Sequence, residues 1–144
     1  EELGYVGKPK KIYKEKILNF INNKQIPIVV PLGLGDDGRI YNINADVAAG
    51  SIAKEIDARR LLLMTDVEGV LDENQKLISE INLNRANEMI KNNIISGGMI
   101  PKIKTCLDAI SNGVRGVVIV DGRKPHSILF ELFSDKGAGT LIRK

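Results

Sequence analysis

The sequence has little of several residues, and each shortage excludes something. Of 144 residues one is cysteine, Cys106, so no intrachain disulfide can form and a reducing, cytoplasmic setting is expected. One is histidine, His126, which excludes a histidine metal cluster and a Ser/His relay of any obvious spacing. There is no tryptophan, and three Phe and three Tyr offer few platforms for stacking bases. No apolar run approaches the ~20 residues needed to span a bilayer, and no basic-then-apolar secretion signal opens the chain. The phosphate loop GxxxxGK[ST] is absent. The chain starts at Glu1 rather than Met, which fits a piece of a longer protein.

What is present suits one domain over residues 1–144. Hydrophobic residues make up 43% and charged residues 27%, ordinary for a globular chain long enough to bury a core. The net charge of +3 includes a basic run, Lys8-Pro9-Lys10-Lys11 with Lys14 and Lys16. That run reads as a solvated helix start or as a nucleic-acid footprint.

Three short apolar runs lack alternation: Pro27 to Pro31 (PIVVP), Leu61 to Thr65 (LLLMT) and Val117 to Val120 (VVIV). Strands buried on both faces of a parallel sheet read this way. Helical spacing links Tyr13, Ile17, Phe20, Ile21 and Lys24, and then Ala45, Ala48, Ala49, Ile52, Ala53 and Ile56, with Asn44 as an N-cap. Further stripes run through Leu83, Ala86 and Ile90, and through Ile100, Ile103, Cys106, Leu107 and Ile110. A last one joins Ile128, Leu129, Leu132 and Phe133, opened by Pro125. Alternating strands and helices predict an α/β domain with a mainly parallel sheet. Asp36-Asp37-Gly38 predicts a small hairpin that delivers Tyr41-Asn42-Ile43-Asn44-Ala45-Asp46 to the second helix.

Ligands of such sheets gather beyond the carboxyl ends of the strands, which directs attention to loops holding Gly33, Gly35, Asp66, Gly69, Asp72, Asp121 and Gly122. In YNINAD, Asn44 and Asp46 serve equally as capping residues or as site residues. Asn42 lies beyond what a cap needs, and Ala48, Ala49 and Gly50 allow close approach. In Ser96-Gly97-Gly98-Met99-Ile100-Pro101-Lys102, paired glycines enter a helix whose first turn carries a lysine. The helix dipole disfavours a cation there, so either an anion resolves the conflict or the lysine reaches into water. Thr65 to Asp72 leaves a buried strand as an acidic turn, suited to a sugar or base, or to plain solvation.

The ordered set YNINAD, TDVEGVLD, SGGMIPK, DGRKPH and a terminal GAGT resembles the C-terminal, ATP-binding domain of the acetylglutamate kinases, a branch of the amino-acid kinase family. The resemblance runs from Gly4 to Thr140 and implies a three-layer αβα sandwich. It implies that Lys102 bridges the transferring phosphoryl group, that Asp46 orients active-site lysines, and that Asn42 contacts the acetylamino acid. It places Thr65, Asp66, Val67, Glu68, Gly69 and Val70, with Ile94, Ile95 and Ser96, around the adenine and ribose of ATP. The implied reaction is phosphoryl transfer from ATP, with Mg²⁺, to the γ-carboxylate of N-acetyl-L-glutamate in arginine biosynthesis. No protein metal site is implied, since Mg²⁺ would ride mostly on phosphate oxygens and water. His126, Glu131, Gly137 and Gly139 match the arginine-sensitive branch and suggest an L-arginine effector.

The family's N-terminal half, with glycine-rich loops and a second lysine, has no counterpart in these residues. The chain alone is therefore expected to fold, to bind nucleotide weakly and not to turn over. The complete enzyme is expected to be a homo-oligomer that engages neither nucleic acid nor membrane. The competing readings are another kinase of the family, such as glutamate 5-kinase, a non-catalytic nucleotide-binding module, and a basic nucleic-acid domain.

Overall fold

The computed structural model describes residues 4–144. In chain order its elements are β1 (Val6–Gly7), α1 (Lys14–Asn22), β2 (Leu32–Leu34), β3 (Ile40–Ile43), α2 (Ala45–Glu55) and β4 (Arg60–Thr65). They continue with β5 (Glu80–Asn82), α3 (Leu83–Lys91), α4 (Met99–Ser111), β6 (Gly116–Asp121), α5 (Ser127–Phe133) and β7 (Gly139–Arg143).

The main sheet has the order β4-β6-β7-β5. β4 pairs parallel with β6 and β5 parallel with β7, while β6 and β7 run antiparallel. The runs LLLMT and VVIV form the strands β4 and β6, but only β6 is buried on both faces: β4 lies at the sheet edge, with Leu63 alone buried and Met64 47% exposed. β6 is buried at every residue. Val117 and Ile119 join Ala53 of α2, Ala86 and Met89 of α3, and Ile103, Cys106 and Ile110 of α4 in one cluster. Strand alternation sends Val118 and Val120, also buried, to the opposite face, where α5 packs on β6. Helices therefore cover both faces, as in an αβα sandwich. Each fully buried aliphatic side chain of the core contributes roughly 1.5–3 kcal/mol. Cys106 lies inside this cluster, where burial pushes its thiol up to about 12.

The hairpin forms as Asp-Asp-Gly predicts. β2 and β3 pair antiparallel, with Leu34 opposite Ile40. The Gly35 amide donates to the Arg39 carbonyl at 2.8 Å, and Gly38 takes φ +77°, the left-handed residue that closes a three-residue loop. Asp37 stiffens the turn by accepting the Arg39 amide at 3.1 Å and the Tyr41 hydroxyl at 3.0 Å. β1 pairs parallel with β3 within this chain.

Three expectations fail. PIVVP is not a buried strand: residues 27–31 lie outside every strand, Pro31 alone reaching β3 by accepting the Ile43 amide at 2.9 Å, and Ile28 is 93% exposed. Pro27 and Pro31 lack the N–H that a ladder needs. Likewise the apolar stripe of α1 buries none of its residues. The third failure is the orientation of α5. Ile128, Leu129, Leu132 and Phe133 face outward, and the buried residues are Ser127 and Glu131. A polar anchor decides this, because the Glu131 carboxylate accepts the Ala138 amide at 2.9 Å and pairs with Arg60 at 3.3 Å. The helix begins at Ser127 after His126 at φ +60°, two residues beyond Pro125.

Candidate active site

Two helices set the central geometry. The Asn44 side chain caps α2 by accepting the Val47 amide at 3.1 Å, which fixes Asp46 in the first turn. Gly97 (φ +55°) and Gly98 lead into α4, and a side chain added at either would meet only open space. Lys102 sits one turn inside α4, and its Nζ donates to Asp46 Oδ2 at 2.6 Å. The side chains are 16% and 26% exposed, so the pair is largely withdrawn from water. The misfit of a cation near a helix N-terminus is thus met by a carboxylate from the neighbouring helix.

Two further contacts hold the helices in this register. A Cβ at Gly50 would lie 2.9 Å from Thr105 Cγ2, so the glycine permits close approach to another helix. One turn farther on, Lys54 donates to Asp108 at 2.5 Å. Residues 46, 50 and 54 of α2 therefore meet 102, 105 and 108 of α4, and the separation of Lys102 and Asp46 is set along the whole interface.

A second group lies beyond the carboxyl ends of β4 and β6. The Thr65 carbonyl accepts the Gly122 amide at 2.8 Å, and the Thr65 hydroxyl lies 3.2 Å from Asp66 Oδ1. Lys124 donates to Glu68 at 2.6 Å. Val67 is exposed, whereas Gly69 and Val70 are buried. Asp121, flagged in the sequence only as a loop residue, is buried and receives Arg123 in a fork, Nε and Nη2 each at 3.0 Å. These bonds, with the Arg123 amide, hold its carboxyl down at about 2. A carboxyl depressed below its unfolded value of about 3.9 stabilises the fold above that value. The contribution is lost as pH falls from about 4 to about 2. Asp121→Asn is therefore expected to lower the urea midpoint at neutral pH and to flatten its decline below about pH 4. An acid limb identical to that of the parent chain would refute the assignment.

The other expected positions divide. Asn42 is exposed at the centre of the small sheet, and its side chain makes no hydrogen bond among the described residues. Ser96 is exposed and Ile94 half-buried, while Ile95 belongs to the core and donates its amide to the Met89 carbonyl at 3.1 Å, leaving its own carbonyl for any ligand. Of the suggested effector residues, Glu131 lies against Gly137 and Ala138. A cleft of about 380 Å³ runs between Lys124, Pro125 and Ser127 on one side and Gly137 and Gly139 on the other. His126 caps α5 without a side-chain bond. Among the described residues no group of three or more His, Cys, Asp or Glu gathers as a metal cage.

The family model described as the amino acid kinase family matches residues 1–121. The chain is 60% identical to the acetylglutamate kinase of Pelagibacter ubique over 144 residues, all of this chain and 50% of that protein. It is 52% identical to the acetylglutamate kinase of Gluconobacter oxydans over 142 residues, 99% of this chain and 48% of that protein. Among solved structures it resembles N-acetylglutamate synthase from Neisseria gonorrhoeae complexed with coenzyme A and L-arginine. There the TM-score is 0.92 at 25% identity, over 100% of this chain and 34% of that one. The chain spans about half the length of the curated relatives it matches.

Proposed function

Because the chain belongs to the amino acid kinase family, we propose that it is the ATP-binding half of a kinase that phosphorylates the γ-carboxylate of N-acetyl-L-glutamate. The observation that carries this reading is the Lys102–Asp46 pair at 2.6 Å, in the adjoining first turns of α4 and α2. Phosphoryl transfer asks a protein mainly for alignment and neutralisation of charge. The Lys102 ammonium neutralises charge on the transferring phosphoryl group, and Asp46 positions it. The acceptor carboxylate is already ionised near neutral pH, so no general base is required and the lack of a catalytic histidine is no obstacle. Asn42, unbonded and exposed on β3, is available to the acetylamino acid. Thr65 to Val70 with Ile94 to Ser96 hold adenine and ribose, Ile95 through its carbonyl and Val70 by anchoring the segment, since its amide and carbonyl bond Thr140 and Ile78.

Magnesium would enter with ATP. Among the described residues the carboxylates do not form a cage for it, Asp46 being engaged by Lys102. The cleft beside Gly137 and Gly139 is the proposed seat of an L-arginine effector. The similar Neisseria synthase was solved with L-arginine, which supports an arginine effector; the cleft is chosen because Gly137 and Gly139 line it. The complete enzyme acts in the cytoplasm as a homo-oligomer on small-molecule substrates.

The test is ADP release by a chain completed to the relatives' full length, with N-acetyl-L-glutamate and L-glutamate offered separately. Release with the acetylated acid alone is expected, and none from the 144-residue chain by itself. Transfer to L-glutamate would favour a glutamate 5-kinase. Salt-sensitive DNA binding without ATP binding would favour the basic-run reading.

A further inference from the structure

The segment after β4 folds back on itself. Leu71 bridges Leu77, the Ile78 amide donates to the Val70 carbonyl at 2.9 Å, and the Asp72 amide to the Lys76 carbonyl at 2.8 Å. Asp72 Oδ1 closes the tip by accepting the Asn74 and Lys76 amides at 2.8 and 2.9 Å. This small hairpin walls a cleft of about 340 Å³, with Asp72, Glu73 and Asn74 facing Arg85, Glu88 and Ile94. It continues directly from Thr65–Gly69.

One hydroxyl ties the base of the hairpin to the main sheet. Thr140, fully buried in β7, accepts the Val70 amide at 2.8 Å and donates to the Ile78 carbonyl at 2.6 Å. Both ends of the hairpin thus meet on one oxygen atom. Gly69 fits the same point: its φ is +146°, and a Cβ there would lie 2.6 Å from Thr140 Oγ1. The two residues before Thr140 in the chain are also fixed. Glu131 accepts the Ala138 amide, and Gly139 pairs with Val120 of β6.

We propose that Thr140 is a positioning residue for nucleotide binding, its hydroxyl fixing the 70–78 hairpin against β7 so that the Thr65–Val70 segment presents its backbone in one geometry. The inference rests on the nucleotide reading above. A valine at 140 keeps the shape and leaves the Val70 amide without its acceptor, whereas serine keeps the oxygen.

The test follows amide resonances of the 144-residue chain during titration with ATP. In the parent chain, ATP is expected to shift the Thr65–Val70 amides and to slow hydrogen exchange at Val70. Thr140→Val is expected to weaken ATP binding about tenfold, the scale of one lost buried hydrogen bond, and Thr140→Ser to restore it to within about twofold. Equal ATP affinity in parent and Thr140→Val, or equal loss in Val and Ser, overturns the positioning role and leaves the nucleotide reading standing. No response of the parent chain to ATP overturns both. Should Thr140→Val not fold, the parent decides: shifts at Thr65–Val70 without slowed exchange at Val70 also overturn the role.

Discussion

Lys102→Ala is expected to lower N-acetylglutamate-dependent ADP release by a chain completed to full length about 10²–10³-fold, the cost of removing one preorganised charge-stabilising group. Lys102→Arg is expected to recover little. A planar guanidinium does not place a point charge where the ammonium was, and the 2.6 Å contact with Asp46 leaves no room for the longer head. Asp46→Asn should also impair transfer, and the double variant should cost far less than the sum, because the two groups act as one unit. Stability should respond too, since removing the lysine leaves a carboxylate that is 26% exposed and without its cation. Full burial would make that loss about 3–5 kcal/mol; with this much solvent access about 1–2 kcal/mol is expected from urea unfolding. Activity within threefold of the parent would remove the pair from the chemistry.

Gly139→Ala is expected to cost about 3–5 kcal/mol of stability, read as a fall in the urea midpoint and a loss of amide protection along β7. A Cβ at this position would lie 1.9 Å from the Ile119 carbonyl oxygen and 2.9 Å from its carbon. Both are backbone atoms of β6, which is buried at every residue and cannot move aside as a flexible side chain could. Gly139 matches the arginine-sensitive pattern in the sequence, yet its first duty is to let β7 approach β6 beside Val120. An alanine variant with unchanged stability and weakened arginine binding would reverse that order. Gly137 differs, since its φ of +68° and its place beside the Glu131 carboxylate belong to the loop rather than the ladder.

Much was legible in the sequence because the signals are local. The spacing of Ala45 to Ile56, of Leu83 to Ile90 and of Ile100 to Ile110 fixed three helices that pack on the core. Asn44 is the cap its side chain predicts, and Asp36-Asp37-Gly38 is the turn its glycine predicts. The motifs YNINAD and SGGMIPK carry the residues of the proposed phosphoryl site. Other signals misled. The apolar run PIVVP lies bare, because an apolar run records a need for partners and cannot supply them. In α5 the apolar stripe faces outward, because one buried carboxylate with an amide and an arginine in place outweighs it.

By itself the sequence determined the family, the helices with full periodicity, the strands β4 and β6 and the identity of Lys102 and Asp46. Only the tertiary structure decided that these two meet at 2.6 Å, that β7 enters antiparallel against β6, and that the Thr140 hydroxyl gathers both ends of the 70–78 hairpin. Caps, turns and periodicities act over a few residues and are written where they act. The Lys102–Asp46 contact spans 56 positions and the Thr140–Val70 bond 70, distances at which only the packing of helices and strands brings one polar atom to another.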